Sequence, residues 1–254
     1  TGHGCHALTR RPMTRPATLI TGARAPVAID LARSFAGAGH GVTLADSVRG
    51  RAAGWAGLGA VHPLPAPRGN LPDYAAALGA LIQSGQADLI VPSCEEVFHV
   101  AAAAERLGVA DRVFAPSLAV LRRLHSKISF PALLAELGMI APETFALERR
   151  VDVLALDIPP DQLVLKPEFS RFGTAVLVRP IAAQLAQWGA AGDGAGNDTR
   201  PTKWCAQRAV AGQEICLWSA ARAGRIVASC TYRPAWRHGA SYAFEAMDCP
   251  AALA

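Results

Sequence analysis

The chain has 254 residues, of which 51% are hydrophobic and 18% are charged, with a net charge of +5. This composition excludes an intrinsically disordered chain, and the length suffices for one large domain or two modest ones. No apolar run reaches the roughly 20 residues of a membrane helix, and the N-terminus lacks the apolar segment of a secretory signal. We therefore expect a cytoplasmic protein with no membrane partner.

The positive charge does not indicate a nucleic-acid partner. The arginines occur singly or in isolated pairs, and no basic stripe is interleaved with the aromatic residues that stack on single strands. The six cysteines are scattered without a CxxC pair, so neither a zinc site nor a disulfide framework is indicated. The spacing therefore predicts no metal site.

Lysine is rare in this chain. Of the 25 basic residues only three are lysines, namely Lys127, Lys166 and Lys203. An ammonium group is a compact point charge that suits a phosphate in a tight pocket, and a guanidinium group is not interchangeable with it there. Lys127 and Lys166 are therefore the candidates for phosphate ligands, whereas Lys203, next to a Gly-rich stretch, is expected to be an ordinary surface lysine.

Residues 1–16 are predicted to form a tail, and residues 17–115 a domain in which strands and helices alternate. Short apolar runs predict strands at 18–21, 42–45, 88–92 and 113–115. Apolar residues at helical spacing predict helices at 27–38, 74–83 and 97–107. This alternation is typical of a Rossmann-like parallel sheet with helices on both faces.

The turn after the first strand invites comparison with a dinucleotide site. Asp46 ends the second predicted strand at about the distance of a dinucleotide-binding acid. The turn has only Gly22, however, where the GxGxxG fingerprint has three glycines, and Pro26 lies where the backbone would approach a pyrophosphate. An NAD(P)-dependent oxidoreductase is therefore the less favoured enzymatic alternative.

The end of the third predicted strand carries a second candidate region. Cys94, Glu95 and Glu96 follow this strand at the carboxyl edge of the sheet, where open α/β folds bind ligands. The two glutamates fit either a substrate contact or ordinary acidic residues at the start of a helix.

From residue 117 onward the pattern changes. Helices are predicted at 117–124, 129–137 and 180–188. Strands are predicted at 144–147, 162–166, 175–178, 204–208, 214–221 and 225–232. The Gly- and Asp-rich stretch 189–202 is predicted to be a surface loop.

The strongest chemical signal is a lysine-bearing strand followed by a turn of small residues. The segment LVLKPEFSRFGTAVLV (163–178) has Lys166 at the end of the strand, and Ser170, Gly173 and Thr174 in the turn. Backbone N–H groups and hydroxyls in such a turn can surround phosphate oxygens while the lysine neutralises their charge.

This segment resembles the second phosphate-binding lysine and loop of the ATP-grasp superfamily, which includes carboxylate–amine ligases and carbamoyl-phosphate synthetase. Upstream, HSK (125–127) followed by a helix and GMIAPETF resembles the family's first lysine, here Lys127. Downstream, AQRAVAGQE (206–214) resembles the family's hinge. The hinge resemblance assigns adenine to Gln207 and the backbone of Val210, and the ribose hydroxyls to Glu214.

The resemblance implies an α/β fold in three parts. These are a Rossmann-like preATP-grasp domain (17–115), an ATP-grasp small lobe (116–206), and a hinge with the beginning of the large lobe (207–254). It also implies ATP as cofactor, with Mg²⁺ in intact relatives, and an ATP-dependent ligase that joins small-molecule carboxylate and amine substrates through an acyl phosphate. A homodimer is compatible with this picture, and a non-catalytic nucleotide-binding or regulatory module is the alternative.

Three features depart from the family pattern. Arg208 stands where the hinge usually has Glu, and the phosphate loop holds a single glycine. The family's large lobe carries Mg²⁺-binding carboxylates, often with an E-x-N pair, whereas Glu245 and Asp248 are the only acidic residues late in this sequence. On this ground the chain is expected to be truncated and inactive by itself, with no metal ligands and no assignable catalytic residue.

Overall fold

The computed structural model describes residues 15–48, 61–170, 175–191, 202–238 and 241–249. The chain divides into two compact units, Thr1–Arg122 and Arg123–Ala254. None of the helices in these ranges combines the length and the hydropathy needed to cross a bilayer.

The first unit contains a parallel sheet of four strands in the order β3-β2-β1-β4. The strands are β1 (Ala17–Thr21), β2 (Gly41–Asp46), β3 (Val61–Pro63) and β4 (Leu89–Pro92). The helices are α1 (Pro26–Gly37), α2 (Leu71–Gln83) and α3 (Glu96–Leu107), and α4 (Leu118–His125) follows. The strand order reverses between β1 and β4, and their carboxyl ends meet at this point of the sheet.

Helices cover both faces of this sheet because successive residues of β1 point to opposite sides. Leu19 packs into one cluster with Leu78 of α2 and Val100 of α3. The next residue, Ile20, packs into a second cluster with Ile29 of α1. Side chains that alternate in this way produce two cores on one sheet. The Rossmann-like architecture predicted from the sequence is confirmed.

The second unit contains two antiparallel sheets. The first has the order β5-β8-β6-β7, with β5 (Thr144–Leu147), β6 (Leu163–Pro167), β7 (Leu177–Val178) and β8 (Trp204–Arg208). The second has the order β11-β10-β9, with β9 (Cys216–Arg222), β10 (Arg225–His238) and β11 (Ser241–Met247). The helices of this unit are α5 (Ser129–Glu136) and α6 (Ala182–Ala190).

One face of the first antiparallel sheet is the core of the second unit. Leu163 and Leu165 of β6 are fully buried and pack with Trp204 of β8 and Leu185 of α6. The guanidinium carbon of Arg150 lies 4.1 Å from the ring centroid of Trp204. Since side chains alternate along a strand, this packing directs the other residues of β6, including the half-buried Lys166, to the opposite face.

Some strand boundaries differ from the prediction. Residues 113–115 form only one bridge, between Val113 and Ile90, because a 3₁₀ turn and Pro116 confine the segment. The predicted strand 225–232 continues to His238, and a register shift after Pro234 accommodates the proline. Neither β3 nor β11 was predicted, since β3 has only three residues and β11 follows that proline. Most of the predicted loop 189–202 lies outside the described residues.

Candidate functional site

Lys166 lies on the face of the antiparallel sheet that the core leaves uncovered. It is paired with Cys205 of β8, and Val164 is paired with Gln207, so these side chains share one face. Lys166 Nζ donates a 2.7 Å hydrogen bond to Gln207 Oε1, and Gln207 Nε2 donates a 2.8 Å bond to Thr144 Oγ1 of β5. A row of polar contacts therefore crosses three strands and ends at Lys166.

Lys127 reaches the same place from the connection between α4 and α5. Its backbone N–H donates to the carbonyl of Glu168 at 3.1 Å. Its Nζ donates to the carbonyls of Glu168, at 3.3 Å, and Ser170, at 2.8 Å. Burial and the charge of Lys166 lower the pKa of Lys127. The two lysines predicted to bind phosphate thus lie within electrostatic range of each other.

Cys205 is a potential nucleophile that lies directly opposite Lys166 on the neighbouring strand. It is fully buried, and burial raises the pKa of its thiol, although Lys166 and Lys127 act in the opposite direction. A thiol with a raised pKa remains protonated at neutral pH and is a poor nucleophile. Cys205 therefore lines the site without being an activated group.

The other predicted ATP ligands lie in the segments that follow β6 and β8. Ser170 contributes its carbonyl to Lys127, and its hydroxyl donates to the carbonyl of Pro167 at 3.3 Å. Gly173 and Thr174 lie outside the described residues. Val210 and Glu214 follow β8, and both are exposed. The adenine and ribose contacts assigned by resemblance remain predictions.

Lys203 is in a different situation from the other two lysines. Its side chain is 59% exposed, and its ammonium group forms an ion pair of 3.2 Å with Glu148, which is also exposed. An exposed pair of this kind is strongly solvated and contributes little. The third lysine is therefore a surface residue and provides a matched control for the other two.

The carboxyl edge of the parallel sheet holds a second polar cluster. The Asp46 carboxylate is buried and is bound by Arg24, whose backbone N–H and Nε donate to Oδ2 at 2.7 and 3.0 Å. The Asp46 carboxylate is therefore hydrogen-bonded to the turn after β1 and is not available to bind a ribose. At Gly22, where φ is +75°, a Cβ would lie 2.5 Å from the carbonyl oxygen of Ser93.

Glu96 is the buried acid of this cluster. Only 8% of its surface is exposed, and its carboxylate lies near the Tyr74 hydroxyl and the Gly22 backbone without a well-formed hydrogen bond. Burial, followed by the charge of Asp46, raises the pKa of Glu96 to about 7. The sequence marked this residue only as a helix-start acid or a substrate contact, because its burial depends on Tyr74 from a distant helix.

Within the described ranges, no three His, Cys, Asp or Glu side chains are grouped so that they could hold a metal ion. Glu245, one of the two late acids, forms a hydrogen-bonded ion pair with Arg233 on the neighbouring strand β10.

The sequence matches no known family model, and no curated protein matches it significantly. The fold, in contrast, is similar to that of several solved ligases. An L-amino acid ligase from Bacillus licheniformis superposes with a TM-score of 0.65 at 14% identity, covering 87% of this chain and 51% of that one. A carboxyaminoimidazole ribonucleotide synthase from Aspergillus clavatus, complexed with ATP, gives 0.64 at 14% identity, covering 89% and 56%.

A phosphoribosylamine–glycine ligase from Thermotoga maritima gives a TM-score of 0.59 at 17% identity, covering 87% of this chain and 50% of that one. The chain thus spans about half the length of the solved structures it matches. These structures share the ATP-grasp fold, and the present chain has that fold over most of its length, as the sequence predicted.

Proposed function

We propose that this chain is the ATP-binding part of an ATP-dependent ligase that activates a carboxylate as an acyl phosphate for attack by an amine. The observation that carries the proposal is the convergence of Lys127 and Lys166, two of the three lysines in the chain, on the face of one sheet that lies opposite the apolar core. The fold likeness to solved ligases supports the reaction class.

The two lysines fit a polyphosphate better than they fit their present partners. Among the residues that the structure describes, their ammonium groups donate to neutral oxygens, namely two backbone carbonyls and the Gln207 amide. A phosphate oxygen would form shorter and stronger charge-assisted bonds with both groups. It would also relieve the repulsion between them, which contributes to the lowered pKa of Lys127.

The rest of the nucleotide is assigned from the hinge. Gln207 and the backbone of Val210 would meet adenine, and Glu214 the ribose hydroxyls, since they have the family's order along the strand and the segment after it. Gln207 lies close to Lys166 because β8 pairs with β6. Val210 and Glu214 follow at the end of β8 that pairs with the start of β6. Mg²⁺ has no matching set of ligands among the described residues, so no step through a metal is derived.

Isothermal titration of ATP into the protein tests the nucleotide site. We expect binding by the wild-type chain and a loss of roughly 10- to 150-fold in affinity for Lys127→Ala and Lys166→Ala, the size of one hydrogen bond to a charged group. Lys203→Ala removes the same charge from the surface pair with Glu148 and should leave affinity unchanged. Equal affinities for wild type and Lys166→Ala would refute the site.

The ligase assignment needs a separate experiment. The chain is incubated with ATP, Mg²⁺, an amine mixture and carboxylates labelled with ¹⁸O in the carboxyl group. An acyl-phosphate route transfers one labelled oxygen to inorganic phosphate. Labelled phosphate that is absent with Lys166→Ala would establish the ligase reaction. ATP binding without ADP release is the result expected of an ATP-binding part that is inactive by itself.

A further inference from the structure

Glu168 lies at the end of β6 and contacts Lys127, so it is adjacent to both lysines of the proposed phosphate site. It follows Lys166 and Pro167 at the end of β6, and its carbonyl accepts from both the backbone N–H and the Nζ of Lys127. Its backbone N–H donates to the carbonyl of Lys203 at 2.8 Å. The residue therefore connects two strands of the sheet to the start of α5.

The side chain of Glu168 adds a second contact between the end of β6 and the segment before α5. Its Oε1 accepts a 2.6 Å hydrogen bond from the hydroxyl of Ser126, which is 3% exposed. The same hydroxyl oxygen accepts from the backbone N–H groups of Ile128 and Ser129 at 3.3 and 3.1 Å, where α5 begins. The hydroxyl of Ser126 thus donates its single proton in the hydrogen bond to Glu168, and its oxygen accepts the hydrogen bonds from the start of α5.

The electrostatic surroundings of Lys127 show why a carboxylate is needed here. Burial and Lys166 of β6 disfavour its charged form, whereas the charge of Glu168 favours it. Glu168 is the carboxylate among these groups, and it is fixed by a buried hydroxyl next to Lys127 in sequence. The residue that contacts the Lys127 backbone therefore also contributes to the charge balance of its ammonium group, in which burial is the largest effect.

We propose that Glu168 is a positioning residue that clasps the Lys127 segment to the end of β6 through Ser126, and so holds the two phosphate lysines at a fixed separation. The consequence for ATP rests on the proposed function, whereas the clasp itself does not. Without it, the two ammonium groups, carried by segments about 40 residues apart, would have to be ordered when phosphate binds.

Two substitutions separate positioning from charge. Glu168→Gln keeps an oxygen for Ser126 and loses the charge, whereas Glu168→Ala loses both. If Glu168 positions Lys127, ATP affinity of Glu168→Gln stays within about threefold of wild type, and that of Glu168→Ala falls by about tenfold or more. If Glu168 only repels phosphate, both variants bind ATP more tightly than wild type, and the proposal is overturned.

A measurement without nucleotide tests the clasp independently. Because the chain has three lysines, labelling with ¹³Cε-lysine gives three assignable side-chain signals. We expect the pKa of Lys127 to fall in Glu168→Gln, where the lysine keeps its place but loses a favourable charge. In Glu168→Ala its signal moves towards that of exposed Lys203.

Glu148→Ala removes the carboxylate beside Lys203 and is the matched control, since it should change only the Lys203 signal. Unchanged Lys127 signals in both Glu168 variants overturn the clasp even if ATP binds. If wild type does not bind ATP but the Lys127 signal responds as stated, the proposed function fails and the clasp stands.

Discussion

Lys166 and Gln207 lie on adjacent antiparallel strands and are joined by a 2.7 Å hydrogen bond from the ammonium group to the amide oxygen. Gln207 is itself oriented by its 2.8 Å bond to Thr144, so the acceptor offered to Lys166 is fixed. Gln207 also begins the segment that we propose to meet adenine. This pair therefore links the phosphate end of the proposed site to its adenine end.

Replacing Gln207 with Leu should weaken ATP binding by about tenfold or more, because Lys166 loses the hydrogen bond that orders it and adenine loses a proposed contact. The matched control is Gln162→Leu, which removes a 2.9 Å amide contact to Arg208 at the other end of the same strand pair. Titration calorimetry on both variants measures the difference. Equal affinities for the two variants would show that the Lys166–Gln207 bond does not prepare the site.

The sequence predicted the architecture well where periodicity was long and uninterrupted. The short apolar run around Leu19 predicts a strand buried on both faces, and the helical spacing around Ile29 predicts the helix that covers one of them. The scarcity of lysine singled out three residues, and the fold brings two of them, Lys127 and Lys166, together. Their role as phosphate ligands stays a prediction.

Contacts between distant segments were not predictable. Nothing in the neighbourhood of Glu168 indicates that its partner is Ser126, 42 residues earlier. The burial of Glu96 likewise depends on α2, which supplies Tyr74. Such pairings arise from tertiary packing, which local propensity and spacing do not encode.

Gly22→Ala should destabilise the protein more than Gly85→Ala, although the two glycines have nearly the same φ, +75° and +78°. Both substitutions place a side chain in the left-handed region, at a cost of about 1–2 kcal/mol. At Gly22 the new Cβ would also lie 2.5 Å from the carbonyl and hydroxyl oxygens of Ser93, whereas nothing lies within 4 Å at Gly85. Overpacking adds about 1–3 kcal/mol.

Urea unfolding of the two glycine variants, followed by circular dichroism, measures this difference in the free energy of unfolding. A loss of the same size in both variants would mean that the turn after β1 can move away from Ser93.

The turn after β1 should bind no nicotinamide cofactor. It lacks the glycines of a pyrophosphate loop, and Asp46 is already occupied by Arg24. Titration with NADH or NADPH should therefore give no saturable fluorescence enhancement at micromolar concentration. Saturation would favour an oxidoreductase over a ligase.

The stability of the parallel sheet should decrease as pH rises from about 4.5 to 7, because Glu96 binds a proton more tightly in the folded protein. Its folded pKa is about 7, whereas an unfolded glutamate titrates near 4.3. Between these values the folded state holds a proton that the unfolded state has released, so unfolding releases a proton. Each pH unit then costs up to about 1.4 kcal/mol of stability, and the loss levels off above the folded pKa.

Hydrogen exchange of peptides from β1 and β4 in the full chain measures this pH dependence locally. Tyr74, whose pKa is raised by burial, stays protonated throughout the window, so the change belongs to the carboxyl group. Glu96→Gln mimics the protonated acid and should remove this part of the slope, which makes the variant more protected than wild type at pH 8. Glu95→Gln removes the neighbouring carboxylate and should keep the slope. If Glu96→Gln retains it, Glu96 titrates normally and does not hold its proton between about pH 4.5 and 7.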